Sequence, residues 1–64
     1  MLYRIMDEGD TRVCGYVRAG SERSALTEYA RLKGIFRFEL AFEAGRVRLL
    51  PADGGCFRAD CVNC

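Results

Sequence analysis

The period of the apolar residues switches twice along this chain, from two to about 3.6 near Ser21 and back to two after Gly34, which restricts it to a sheet interrupted by one helix. Residues 2–7 read as a strand and Glu8-Gly9-Asp10-Thr11 as a turn. Residues 12–19 read as a second strand, in which Val13, Gly15, Val17 and Ala19 alternate with Cys14, Tyr16 and Arg18. Ser21 is placed to cap a helix over residues 22–33, because its hydroxyl can accept from first-turn N–H groups, and Gly34 follows where a residue free to adopt positive φ closes a helix. Leu32, Ala25, Tyr29, Leu26 and Ala30 fall on one arc of that helix, and Arg23, Thr27, Arg31, Ser24 and Glu28 on the other.

From Ile35 to Glu43 the period is two again, with Phe36, Phe38, Leu40 and Phe42 on one face. Glu43-Ala44-Gly45 turns this strand back into residues 46–50, and Pro51, which has no N–H to donate, ends the pairing. The expected fold is therefore α+β, a four-stranded antiparallel sheet with one helix on one face, in the order strand, strand, helix, strand, strand. Tyr3, Ile5, Val13, Val17, Phe36, Phe38, Leu40, Phe42, Val47 and Leu49 are expected to meet Leu26, Tyr29 and Leu32 in the core. Residues 1–51 form the expected domain. Residues 52–64 follow as a cysteine-containing tail jointed at Gly54-Gly55.

With 64 residues there is room for one thin core. Ten Lys and Arg against nine Asp and Glu leave a net charge of +1, so the basic excess that marks a phosphate-neutralising module is absent. The stretch Met1–Asp7 carries Arg4 where a secretory signal would be apolar, and no run approaches the ~20 apolar residues of a membrane span, which leads to a cytoplasmic expectation. There is no histidine, hence no general base with an ordinary pKa near neutrality, and no nucleophile has an evident activator. The chain is read as non-catalytic, with no cofactor.

Four cysteines stand at positions 14, 56, 61 and 64. Cys61-Val62-Asn63-Cys64 has the spacing that lets two thiolates share a tetrahedral metal, and Cys14 and Cys56 could complete a four-sulfur zinc site. Free thiols and a disulfide are the competing readings, and a reducing compartment favours free thiols. Asp60 beside Cys61 disfavours a reactive thiolate.

The sheet face away from the helix carries Arg4, Tyr16, Arg18, Arg37, Arg46 and Arg48, with Glu39 among them. Such a surface can dock an acidic protein patch through bidentate Arg–carboxylate pairs, or follow a phosphate backbone while its aromatic stacks on a base. Arg4, Tyr16, Arg18, Arg37 and Arg48 are accordingly the expected partner-binding residues. The alternatives are a small nucleic-acid-binding regulator using this Arg-rich face and a zinc-stabilised interaction module.

Val17-Arg18-Ala19-Gly20-Ser21, then Ala25-Leu26-Thr27-Glu28-Tyr29-Ala30-Arg31, then Gly34, lay out a hairpin that delivers the chain to a helix ending at glycine before a second hairpin. In size and layout this resembles small phage-encoded accessory proteins of the anti-CRISPR type. The resemblance covers residues 2–50 and transfers no functional residue. It implies a stoichiometric inhibitor that binds and blocks a CRISPR–Cas complex in the bacterial cytoplasm; the chain itself is expected to be a monomer or weak dimer. Many anti-CRISPR proteins are acidic nucleic-acid mimics, and the charge of this chain departs from that pattern.

Overall fold

A computed structural model describes residues 1–63; Cys64, one half of the C-x-x-C spacing, lies outside the described residues. Its elements run β1 (Leu2–Asp7), β2 (Arg12–Arg18), α1 (Glu22–Leu32), β3 (Phe38–Glu43), β4 (Arg46–Pro51) and β5 (Phe57–Cys61). The α+β class is as expected, but the sheet has five strands rather than four, in the order β2-β1-β5-β4-β3 and antiparallel throughout. Residues 57–61, expected as part of a tail, form the central strand that joins the two hairpins.

Local chemistry accounts for the helix. The Ser24 N–H donates to Ser21 Oγ at 3.1 Å, and Glu22 puts a carboxylate in the first turn. At the other end Ile35 N–H donates to Ala30 O at 2.8 Å and Gly34 N–H to Arg31 O at 3.2 Å. This paired closure needs the left-handed conformation that Gly34 adopts, φ 73°. The β3–β4 turn places Ala44 at φ 52° and Gly45 at φ 76°, so both central residues match the right-handed twist of a two-residue hairpin.

The core comprises Tyr3, Ile5, Val17, Ala25, Leu26, Tyr29, Ala30, Val47, Leu49 and Ala59, with Ile5, Leu26 and Leu49 the largest fully enclosed side chains. Helix α1 packs chiefly over β5 and β4, then over β1 and β2, and covers edge strand β3 only lightly, through the Arg23 guanidinium 6.0 Å from the centre of the Phe42 ring. Four expected core residues are therefore exposed. Phe42 lies at the far end of the lightly covered edge strand, Phe36 precedes β3 in a loop, and Leu32 ends the helix. Val13 is displaced by a bulge: the β1–β2 register jumps from Ile5↔Gly15 to Met6↔Val13, which turns Cys14 toward the core and Val13 outward. Burial, followed by the neighbouring Cys14, pushes the Tyr29 hydroxyl up to about 12. Among the described residues no helix is long and apolar enough to cross a membrane.

Candidate functional site

The face opposite α1 is built by the strand register. Arg4 on β1 stands directly across from Tyr16 on β2 and from Asp60 on β5. Leu2 faces Arg18, and Met6 lies between Val13 and Arg58. Further along, Arg48 on β4 meets Arg58 and Ala41. This surface was expected to be a field of available guanidinium groups, but its electrostatics divide it in two.

Over β5 and β4 the charges neutralise one another. Arg48 Nε lies 3.2 Å from Glu8 Oε1, and its Nη1 lies 3.4 Å from Glu43 Oε1. Arg46 reaches Asp60 at 2.7 Å and Glu22 at 3.1 Å, and Arg58 reaches the other oxygen of Asp60 at 3.2 Å. These groups line a shallow cleft of about 220 Å³ bounded by Glu8, Arg46, Val47, Arg48, Arg58 and Asp60. Burial raises the Asp60 pKa, yet hydrogen bonds from Arg46 and then Arg58 outweigh it and hold the carboxyl below its usual value. Both signs are already paired in this cleft.

Over β1 and β2 the situation differs. Neither Arg4 nor Arg18 has a carboxylate of the described residues within ion-pair distance, and Arg4 Nε is buried without a hydrogen-bond partner. Between them Tyr16 is 58% exposed. Adjacent strands lie ~4.8 Å apart, so two guanidinium groups and a phenol occupy one small area.

The expected contact residues are thus sorted by the fold. Arg4, Tyr16 and Arg18 come together, while Arg48 belongs to the Glu8–Glu43 ion-pair system. Arg37 precedes β3, on the edge opposite β2. Its carbonyl accepts from Ala52 N–H at 2.9 Å, near the end of the sheet where Asp7 faces Arg12, whereas Arg18 sits at the other end. Arg18 and Arg37 consequently occupy diagonally opposite corners. Sequence reasoning missed Arg58 and Asp60 as members of this face because β5 falls in the stretch read as a tail, and Glu8 because it stands in the β1–β2 turn. The signal for β5 was present in Phe57, Ala59 and Cys61 alternating with Arg58 and Asp60.

Among the described residues, Cys14, Cys56 and Cys61 do not converge on one site. Cys14 and Cys56 are free, and Cys61 is disulfide-bonded. Cys14 packs against the core, whereas Cys56 Sγ donates to Glu8 Oε1 at 3.4 Å. Burial, with the Glu8 carboxylate adding to it, raises the Cys56 thiol pKa and suppresses its thiolate. Among the described residues no group of three or more His, Cys, Asp or Glu side chains could hold a metal ion.

The fold defines a small α+β domain, and on this face Arg4, Tyr16 and Arg18 form a basic–aromatic patch with no ion pair among the described residues. No family model, curated protein or solved structure matches the chain.

Proposed function

We propose that this chain is a small non-catalytic binding protein that docks an acidic patch of a protein assembly through Arg4, Tyr16 and Arg18. The observation that carries the reading is the division of the sheet face. Arg46, Arg48 and Arg58 are held by the chain's own carboxylates, whereas Arg4 and Arg18 flank an exposed tyrosine with no carboxylate of the described residues paired to them. Arg and Tyr supply large contact area with directional hydrogen bonds, and a guanidinium can take a carboxylate in two parallel bonds. Arg4 and Arg18, two cations without a carboxylate partner among the described residues, make too small a footprint to track a phosphate backbone, which favours a protein partner over nucleic acid.

The partner that the layout resemblance suggests is a CRISPR–Cas complex, blocked stoichiometrically. Pull-down of purified CRISPR–Cas effector complexes by the wild-type chain and by a Tyr16→Ala/Arg18→Glu variant tests this, beside DNA and RNA gel shifts at two salt concentrations. The wild type is expected to bind and the variant to lose binding while its circular dichroism is unchanged. Salt-sensitive nucleic-acid binding without a protein partner would overturn the reading, and binding indifferent to the two changes would remove this surface from it.

A further inference from the structure

Strands β2 and β3 form the two edges of the sheet, and only β2 is interrupted by a bulge. Strand β2 carries a bulge, with Arg12 and Arg18 at its ends, devices that discourage a further strand from pairing. Strand β3 pairs with β4 without a register shift from Phe38 to Glu43 and contains neither proline nor glycine.

The orientation of the free backbone groups on β3 follows from its ladder with β4. Arg37 O accepts from Ala52 N–H, so Arg37 directs its backbone toward β4, and by alternation so do residues 39, 41 and 43. Pro51, which has no N–H, stands opposite Phe38, as this pattern requires. The N–H and C=O groups of Phe38, Leu40 and Phe42 therefore point out from the sheet edge. The same three side chains are on the helix side of the sheet; Phe38 and Leu40 pack partly against the core, whereas Phe42, with only the Arg23 guanidinium over its ring, is 65% exposed, and Phe36 in the preceding loop is 86% exposed.

We infer that this edge pairs with β3 of a second copy of the chain, antiparallel about a two-fold axis at Leu40. A two-fold perpendicular to the sheet keeps both helices on one side, so paired positions must share a face. Registers centred on Leu40 or on Ala41 both meet that condition, and charge separates them. Centring on Ala41 sets Glu39 against Glu43 of the second copy twice over. Centring on Leu40 sets Phe38 against Phe42, Glu39 against Ala41 and Arg37 against Glu43 of the second copy, each repeated by symmetry. The outward backbone groups then meet in hydrogen-bonded pairs at Leu40–Leu40 and at both Phe38–Phe42 positions. The Arg37–Glu43 pairs fall at the intervening positions, where opposed side chains approach more closely. The stretch from Arg37 to Glu43 is thus self-complementary in face, charge and hydrogen bonding, and the result is one ten-stranded sheet whose apolar strip between the two helices covers the exposed Phe42 side chains. Arg4, Tyr16 and Arg18 lie at the far ends of this sheet, so failure of the proposed partner binding and failure of self-pairing are separate outcomes.

Sedimentation equilibrium over a range of concentrations tests the pairing. Wild type is expected to approach twice its 7.2 kDa mass. Arg37→Glu and Glu43→Arg, both at exposed positions, each create two repelling pairs and should weaken the dimer about tenfold or more, and the doubly swapped Arg37→Glu/Glu43→Arg chain should regain it. Circular dichroism checks that each variant is folded. A wild type monomeric at every concentration overturns the inference. So does a dimer that ignores the single changes or is not restored by the double one.

Discussion

Arg46 donates to Asp60 Oδ1 at 2.7 Å and to the neighbouring Ala59 carbonyl at 3.1 Å, at the point where β4 and β5 have ceased to pair. The β4–β5 ladder is confined to Arg48↔Arg58 and Leu49↔Phe57. Beyond it, the Arg46 guanidinium occupies the opening and supplies donors that backbone N–H groups would otherwise provide. Glu22, in the first turn of α1, completes the join by accepting from Arg46 Nε at 3.1 Å and from Val47 N–H at 3.4 Å. One arginine thus ties the helix start, the central strand and the second hairpin together.

The Asp60 carboxyl gives this junction a pH dependence. Its folded pKa lies below the ordinary carboxylate value because the hydrogen bonds from Arg46 and Arg58 exceed the opposing effect of burial. A depressed folded pKa contributes stability above the unfolded value, ~3.9, and that contribution is lost as pH falls through the lower folded value. Urea midpoints measured from pH 6 down to pH 2 should fall for wild type, and Asp60→Asn should start lower and change less over the acid limb. Parallel curves for the two proteins would show that the carboxylate contributes nothing there.

Truncation after Gly55 removes the strand between the hairpins. Strand β1 loses its pairing from Tyr3↔Cys61 to Asp7↔Phe57, and Ala59 leaves the core. Isolated two-stranded hairpins are marginal in water, so the truncated chain is expected to lack a cooperative thermal transition by circular dichroism. A sigmoidal transition near that of the full chain would mean that the remaining strands support the fold unaided.

Leu49 and Phe42 face the same side of adjacent strands with opposite environments, Leu49 enclosed and Phe42 65% exposed. Leu49→Ala should cost about 2–5 kcal/mol through lost transfer energy and the cavity left behind. Phe42→Ala should cost less than about 1 kcal/mol in the monomer, although Phe is the larger side chain. Denaturant titrations of both variants at low protein concentration, where self-association is minimal, check the contrast, and equal losses would contradict the assigned burial.

Features dictated by near neighbours could be read from the chain. Ser21 caps α1 and Gly34 closes it because the groups each must satisfy lie within a few residues, and Ala44-Gly45 defines a turn for the same reason. The α+β class follows from the change of period, and the inward face of β4 and the shared face of Arg4 and Tyr16 follow from alternation. Tertiary contacts decided the rest. Phe57–Cys61 carries a strand's alternation, but what makes it the central strand is that β1 and β4 both needed a partner, a demand stated far away in the sequence. The bulge that exchanges Val13 for Cys14, the light cover that α1 gives β3, and the capture of Arg46, Arg48 and Arg58 by Glu8, Glu22, Glu43 and Asp60 depend on three-dimensional neighbours in the same way. Composition counted those arginines as equivalent to Arg4 and Arg18. Only the folded sheet separates them, because a charge is neutralised by the carboxylate nearest in space and strand pairing brings together residues distant along the chain.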